Sequence, residues 1–286
     1  MGRTLLILLG PTAVGKTDYS LSLARRYDSP IISCDSRQIY REMRIGTAVP
    51  SEEQLSSVKH YFIQTKSVTE YYTAGIYETE ALELIERLFA EGHETLVMTG
   101  GSMFYIDAVC NSLSNVPTAD MEVRADLQAR VAAEGPEFLK GELLRLDPEA
   151  YAAMDLSNTQ RLFRAVEICI GTGRKYSSFK QTEGARRDFD IRKVGLTRQR
   201  EELYDRINRR VLQMVSDGLV EEVEGLEEYR DLTALQTVGY SEIFDYMDGK
   251  TSLQEAVELI QRNSRHYAKR QMTWWKRDRS IEWIGL

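Results

Sequence analysis

One glycine-rich segment near the start of the chain constrains the fold more than any other feature. The sequence Gly-Pro-Thr-Ala-Val-Gly-Lys-Thr at 10–17 follows an apolar run at 5–9 and precedes an amphipathic pattern at 19–24. This G-x-x-x-x-G-K-T spacing between a strand and a helix directs backbone N–H groups at phosphates. We therefore expect a ligand that carries a di- or triphosphate, with the Thr17 hydroxyl placed to meet a divalent cation. The expected phosphate-binding residues are Gly10, Pro11, Thr12, Ala13, Val14, Gly15, Lys16 and Thr17.

Two further predicted strands end in residues suited to chemistry. The apolar run at 31–34 ends at Asp35, and the run at 95–99 ends at Gly100, Gly101 and Ser102. Ligands of parallel sheets bind at the carboxyl ends of the strands, so Asp35 and Ser102 should lie near the phosphate loop. From the residues alone, Asp35 could cap a turn, hold a metal-bound water or accept a proton, and Ser102 could be a helix N-cap. No Asp ends the run at 95–99 as in ordinary NTPases, which disfavours that class.

The order of the patterns predicts an α/β fold with a parallel sheet and an all-helical insertion. Further strands are predicted at 59–63, 191–196 and 280–284, and helices at 73–91, 103–110, 201–216 and 253–275. Between 116 and 185 the strand pattern is replaced by helical patterns at 121–133, 136–146, 148–154 and 158–172. The predicted domains are a first part of the core at 1–115, the insertion at 116–188 and a second part of the core at 189–286.

Positive charge is concentrated in two segments of an acidic chain. The formal net charge is −7, yet residues 155–215 carry 14 Lys and Arg against 8 Asp and Glu, and 261–279 carry 7 against 1. The second segment interleaves basic and aromatic residues, which is typical of surfaces that bind single-stranded nucleic acid. Solvated helices, or aromatic core residues with basic neighbours, would give the same pattern. The phosphate loop and the helical insertion favour the nucleic-acid interpretation.

Cysteine usage and hydropathy predict the cellular setting. Cys34, Cys110 and Cys169 are widely spaced among apolar neighbours and form no metal-ligand pattern. The N-terminus has no signal-peptide pattern, and no stretch approaches about 18 uninterrupted apolar residues. We expect a soluble, cytoplasmic protein with reduced thiols and no membrane partner, and, since nothing in the sequence demands a second subunit, a monomer.

Taken together, the motifs resemble those of the bacterial tRNA dimethylallyltransferases. The segments that carry the resemblance, in the family's order, are 10–17, 35–40 with 45–48, 100–102, 160–164, 238–240 and 269–274. The resemblance implies a P-loop kinase-like parallel sheet core with an all-helical insertion domain. It also implies transfer of a dimethylallyl group from dimethylallyl diphosphate to N6 of the adenosine 3′-adjacent to the anticodon, with Mg²⁺ as cofactor. The implied partners are that diphosphate and tRNA, whose anticodon stem-loop the insertion would grip.

The same resemblance implies roles for individual residues. Asp35 would be the general base for the adenine amine, Ser102 would hydrogen-bond the oxygen between carbon and diphosphate, and Arg210 would neutralise the leaving diphosphate. Position 102 departs from the family, which commonly has threonine, but the hydroxyl is retained. No Cys/His finger pattern of the eukaryotic relatives follows residue 275. The residues implied to contact tRNA are Asp35, Ser36, Arg37, Gln38, Ser102, Arg124, Gln160, Arg161, Leu162, Phe163, Arg164, Gln236, Thr237, Val238, Gly239, Tyr240, Ser241, Lys269, Arg270, Gln271, Met272, Thr273, Trp274, Trp275 and Lys276.

Two other functions are compatible with the residues. A P-loop small-molecule or nucleoside kinase would use the same loop, with the helical insertion as a lid; the two basic segments and the missing Asp after residue 99 weigh against it. A nucleotide-gated RNA-binding switch would use the loop and the basic segments, but it would need no acid at Asp35 beside a hydroxyl at Ser102.

Overall fold

The structure, a computed structural model, describes residues 2–112, 116–117, 120–179 and 187–286. By the density of its internal contacts the chain divides into two compact units. The first comprises Met1–Tyr72, Glu80–Ile106 and Arg187–Leu286, and the second comprises Thr73–Thr79 and Asp107–Arg186. From the sequence we predict domain boundaries between residues 115 and 116 and between residues 188 and 189. Residue 115 lies outside the described residues.

Among the described residues, the first unit is built on one parallel sheet of six strands. The strands are β1 Thr4–Leu9, β2 Ile31–Ser33, β3 His60–Tyr61, β4 Thr95–Thr99, β5 Asp190–Thr197 and β6 Ile281–Gly285. Their order across the sheet is β3-β2-β4-β1-β5-β6. In the central strand β1, residues 5 to 9 are all buried. Because side chains on both faces of this strand are buried, its sequence is an unbroken apolar run and does not alternate with polar residues. The predicted parallel sheet core is confirmed.

Twelve α-helices lie within the described parts of the chain. They are α1 Lys16–Tyr27, α2 Glu52–Ser57, α3 Ala74–Ala90, α4 Met103–Asn111, α5 Met121–Glu134, α6 Phe138–Leu146, α7 Pro148–Ala153, α8 Thr159–Thr172, α9 Arg200–Ser216, α10 Leu219–Glu224, α11 Tyr240–Met247 and α12 Leu253–Trp275. The helical character predicted for the insertion is confirmed by α5 to α8. No helix was predicted at α2, α10 or α11, because six to eight residues give too few turns for a periodic pattern. Helix α7 is equally short, but the Asp147-Pro148 pair marks its start.

Each unit buries an apolar core of its own. In the first unit, the segment after β2 packs with α9 to α12 around Ile39, Met43 and Leu235. In the second unit, α5 to α8 enclose Leu139 and Leu162. Separate cores are what independent compact units require.

The register of the sheet brings three strand ends to one level. Thr99 pairs with Leu8 of β1 on one side and with Ser33 of β2 on the other. The Thr99 hydroxyl also donates to the carbonyl of Leu8 at 3.1 Å. The phosphate loop after β1, the segment after β2 and the turn after β4 therefore leave the sheet side by side, at the edge where ligands of parallel sheets bind.

Beyond the last paired residues, β2 and β4 stay in contact through Gly100. A Cβ at this position would lie 2.5 Å from the carbonyl carbon of Cys34 and 2.6 Å from its oxygen. The backbone N–H of Ser102 then donates to that same oxygen at 3.3 Å. A side chain at position 100 would push apart the two segments that carry Asp35 and Ser102.

We expect Gly100→Ala to destabilise the protein by about 1–3 kcal/mol, because the new Cβ would meet backbone atoms that cannot rotate away. Gly141 in α6 offers the matched control, since no atom lies within 4 Å of a Cβ built there. Alanine in that helix should be neutral or stabilising, by about 1 kcal/mol at most. The measurement is the urea midpoint of each variant; an unchanged midpoint for Gly100→Ala would contradict the tight contact.

Candidate active site

A cavity of about 420 Å³ opens at the sheet edge where β1, β2 and β4 end. The phosphate loop, the segment after β2, the turn after β4 and the helices α9 and α12 all line it. Among its described lining residues, the side chains with a full charge are the cations Lys16, Arg37 and Arg210 and the carboxylate Asp35. Three cations around one carboxylate favour an anionic ligand with several charges.

Two arginines hold carbonyl groups of the phosphate loop. Arg206 Nε of α9 donates to the carbonyl of Ala13 at 2.9 Å, and Arg198 Nε donates to that of Val14 at 2.8 Å. In a trans peptide the C=O and the following N–H point in opposite directions. The carbonyl that Arg198 holds therefore directs the N–H of Gly15 away from the arginine.

Lys16 folds back on its own loop. Its ammonium donates to the carbonyls of Gly10 and Pro11 at 2.8 and 2.9 Å. Burial lowers the pKa of Lys16 to about 8, with a further lowering from Arg210 and an opposing effect from Asp35. An anion bound in the cavity would favour the charged form and raise this pKa.

The two carboxylate oxygens of Asp35 have different environments. Oδ1 accepts the backbone N–H groups of Arg37 at 2.9 Å and Gln38 at 3.2 Å, which fixes the turn after β2. Oδ2 has no hydrogen-bond partner among the described residues. The capping role and a chemical role at Asp35 are thus compatible, because each uses a different oxygen.

Ser102 begins the turn into α4. Its carbonyl accepts the N–H of Ile106 at 3.2 Å. The residue is 8 % exposed, and its hydroxyl makes no hydrogen bond to the described residues. The hydroxyl therefore does not cap the helix and can bind a ligand in the cavity.

Arg210 enters the cavity from α9. It lies one turn after Arg206, and side chains four residues apart share one face of a helix. Burial lowers the pKa of Arg210, and the Asp35 carboxylate opposes this effect. The guanidinium has no hydrogen-bond partner within the described residues, so it is available to an anion. The structure thus brings together Lys16, Asp35 and Arg210.

A half-buried carboxylate, Glu222, supports another wall of the cavity. Glu222 accepts the three consecutive backbone N–H groups of residues 44–46, at 2.9, 2.7 and 3.0 Å, and the Tyr240 hydroxyl at 2.6 Å. The Gln38 amide donates to the carbonyls of residues 47 and 48 at 3.1 and 2.9 Å. Tyr240 is fully buried and holds this loop in place.

The residues expected to contact tRNA fall into different settings. Those that line the cavity are Asp35, Ser36, Arg37, Gln38, Ser102, Thr237, Val238, Gly239 and Gln271. Those that are exposed on α12 or directly after it are Lys269, Arg270, Thr273 and Lys276. Four side chains are buried, namely Leu162, Tyr240, Gln271 and Trp275. Contact of these four residues with tRNA stays a prediction, and their burial also gives them a place in the packing of the protein.

An aromatic pair borders the cavity. Phe104 is 50 % exposed, and its ring centroid lies 5.2 Å from that of Trp274, edge to face. Arg277 stacks on Trp274 at 5.5 Å. Aromatic and guanidinium surfaces of this kind suit nucleic-acid bases.

In the second unit, the arginines expected to bind tRNA surround a buried carboxylate. Glu167 accepts from Arg124 at 2.8 Å and from Arg164 at 2.5 Å, and its side chain is fully buried. Arg164 also donates to the Pro117 carbonyl at 2.6 Å. Arg161, by contrast, is exposed, so the two arginines of the 160–164 motif have different environments.

Within the described residues, no group of three or more His, Cys, Asp and Glu is placed to hold a metal ion. No described helix is both long and apolar enough to cross a membrane. Thr17 lines the cavity, and its hydroxyl has no partner in the described parts of the chain.

Several residues of the site were missed by sequence reasoning. Arg198 directly follows β5, so the rule that ligands bind at strand ends could have found it. Arg206 and Glu222 had no such signal, because each lies on a charged helix whose inward face is set by packing. Gln271 was predicted, but as a tRNA contact and not as the buried residue that it is.

Comparison with known proteins identifies the family. The family model described as IPP transferase matches residues 38–278. The chain is 50 % identical over 281 residues to tRNA dimethylallyltransferase 1 of Bacteroides thetaiotaomicron, covering 98 % of this chain and 91 % of that protein. It is 52 % identical to tRNA dimethylallyltransferase 1 of Porphyromonas gingivalis, covering 99 % and 94 %.

Solved structures agree with these sequence matches. A tRNA isopentenylpyrophosphate transferase from Bacillus halodurans has a TM-score of 0.70 and 38 % identity, covering 99 % of this chain and 90 % of that one. A eukaryotic dimethylallyltransferase acting on tRNA has a TM-score of 0.81 at 23 % identity, covering 99 % and 74 %, which supports the fold. The resemblance found in the sequence is confirmed, and the chain belongs to the IPP transferase family.

Proposed function

We propose that the protein transfers the dimethylallyl group of dimethylallyl diphosphate to N6 of the adenosine 3′-adjacent to the anticodon in tRNA. The primary carbon of the donor bonds to N6, the carbon–oxygen bond to diphosphate breaks, and N6 loses a proton. The main observation that supports the proposal is the cavity, whose lining combines the Asp35 carboxylate with three cations. The names of the relatives, tRNA dimethylallyltransferases at about 50 % identity, support it.

The cations of the cavity would hold the diphosphate of the donor. Lys16 would exchange its bonds to the Gly10 and Pro11 carbonyls for phosphate oxygens. The start of α1 adds backbone N–H groups to the same site. Arg210 would bind the diphosphate from α9, and its charge would stabilise the product as it leaves.

Asp35 would act on the adenine. An exocyclic amine is a poor nucleophile because its lone pair is delocalised into the ring, so the amine must be oriented and deprotonated as the bond forms. Oδ2 would accept the N6 proton while Oδ1 keeps the turn in place. The target base would leave its stack to reach this oxygen.

Ser102 would act on the leaving group. Its hydroxyl would donate a hydrogen bond to the oxygen that joins the carbon to diphosphate, where negative charge develops. Its position beside Asp35 supports this role, because the Cys34 carbonyl and the Ser102 amide tie the two segments together.

The residues present fit Mg²⁺, which usually binds through one or two protein ligands and substrate phosphates. Thr17 lines the cavity with its hydroxyl available, and a diphosphate would supply the other oxygens. When bound, the ion would neutralise part of the charge on the diphosphate.

The surfaces for tRNA would be the exposed basic side of α12 and the helical unit. Lys269, Arg270 and Lys276 are exposed for phosphate contacts, and Phe104 offers an aromatic surface beside the cavity. We further propose that the protein works as a monomer and, because its substrate would be tRNA, in the cytoplasm.

The alternatives have less support. The matched relatives are named as transferases that act on tRNA and not as kinases, and the same names weigh against a non-enzymatic switch.

The central test is transfer of radiolabelled dimethylallyl from its diphosphate to an unmodified anticodon stem-loop, with magnesium and without ATP. Label on the adenine beside the anticodon is expected. ATP hydrolysis or a phosphorylated small molecule, without label on RNA, would support the kinase.

Asp35→Asn separates the two functions of this carboxylate. Asparagine keeps an acceptor oxygen for the amides of Arg37 and Gln38 but is no base. We expect the single-turnover transfer rate to fall about 10²- to 10⁴-fold, with RNA affinity within about two-fold. Asp35→Ala is the comparison, since it also removes the cap. A transfer rate near that of the parent in Asp35→Asn would rule out the general-base role.

The lowered pKa of Lys16 predicts a proton linkage to diphosphate binding. As pH rises through about 8, Lys16 loses its charge in the free protein, so affinity for diphosphate should fall. At pH 8, where half of the Lys16 side chains in the free protein have lost their charge, binding should take up about half a proton more than in Lys16→Arg, whose guanidinium stays charged. Calorimetry in two buffers of different protonation enthalpy measures this uptake. Equal uptake in the two proteins would show that Lys16 is already fully charged.

A further inference from the structure

We infer that Gln271 is a positioning residue whose carboxamide fixes the phosphate loop against the turn that carries Ser102. The effect on transfer that we infer for Gln271 rests on the proposed function, whereas its hydrogen bonds are features of the structure itself. Gln271 lies within the run of residues expected to contact tRNA, yet its side chain is fully buried.

The carboxamide joins two segments of the site. Its Oε1 accepts the backbone N–H of Thr12 at 2.9 Å, 259 residues away in sequence. Its Nε2 donates to the carbonyl of Gly101 at 2.8 Å. The phosphate loop and the turn after β4 are thus held at the distance that one carboxamide spans.

These two partners specify glutamine. The Thr12 N–H needs an acceptor and the Gly101 carbonyl needs a donor, and a carboxamide is the side-chain group that offers one of each in a fixed fork. Glutamate would place a second acceptor against the Gly101 carbonyl. Methionine has nearly the same length but would leave both partners without this hydrogen bond.

The space around Gly101 and the partners of its carbonyl fit this contact. A Cβ at Gly101 would lie 2.8 Å from Gln271 Nε2, so glycine is required for the approach. Tyr267, one turn earlier on α12, donates its hydroxyl to the same carbonyl at 3.0 Å. The same Cβ would lie 3.6 Å from Asp35 Oδ2, which places the contact beside the proposed base.

The position of Gln271 on α12 separates it from the RNA surface. Lys269, Arg270 and Thr273 are exposed, whereas Gln271 and Ala268 are buried on the inner side. Gln271 lines the cavity, but its carboxamide oxygen and nitrogen already bond to the protein. Loss of this group should therefore change the arrangement of Thr12 and Ser102 without removing a contact to an RNA phosphate.

The test compares Gln271→Met with Gln254→Met, the same change at an exposed position of the same helix. In single-turnover transfer to the anticodon stem-loop, Gln271→Met should be slower by about 10- to 100-fold, the cost of a small misplacement of reacting groups. Its RNA dissociation constant should stay within two-fold of the parent value, and Gln254→Met should match the parent in both. Gln271→Glu keeps the size of the side chain and one acceptor oxygen, and its single-turnover transfer rate should also be lowered. This variant provides the test if Gln271→Met fails to fold.

Hydrogen exchange of the Thr12 amide gives a readout that does not depend on transfer. We expect protection at Thr12 to fall at least 10-fold in Gln271→Met and to be unchanged in Gln254→Met. If the parent transfers no label, the proposed function fails while this exchange still tests the contact. An unchanged transfer rate, unchanged Thr12 protection, or a loss of RNA affinity as large as the loss of rate would each overturn the inference.

Discussion

The backbone contact between the ends of β2 and β4 determines how the groups of the site are arranged. Gly100 allows the two segments to approach, and the Ser102 amide donates to the Cys34 carbonyl. Because backbone atoms make this contact, Asp35 and Ser102 are already adjacent before any ligand binds. Groups that need no rearrangement stabilise a transition state at little cost, which is how preorganised sites act.

The electrostatics of the cavity follow from that arrangement. Burial lowers the pKa values of Lys16 and Arg210, so the free protein keeps these cations in a setting that disfavours their charge. A diphosphate would relieve this by pairing with both. Perturbed groups of this kind gather at functional sites, and here they surround the single carboxylate among the described lining residues.

Much of the site could be predicted from the sequence, because strand ends of a parallel sheet meet at one edge. That rule alone placed the phosphate loop, Asp35 and Ser102 together, and the motif order identified the family. The roles of Gln271 and Glu222 could not be predicted, because they depend on which face of a helix packs inward. Gln271 and Thr12 are 259 residues apart, and no local pattern encodes such a contact. The helices α2, α10 and α11 were too short for a periodic signal, and no Asp-Pro pair marks their start as it does that of α7.

A crystal structure of the protein with diphosphate and an unmodified anticodon stem-loop would test the role of Asp35 most directly. In that structure we expect the target adenine to be flipped into the cavity, with N6 about 3 Å from Asp35 Oδ2, a normal hydrogen-bond distance. Oδ1 should still accept the amides of Arg37 and Gln38, and Lys16 and Arg210 should contact the diphosphate. An adenine bound elsewhere, or Asp35 Oδ2 directed at a metal ion instead of N6, would contradict the assignment of Asp35 as the base.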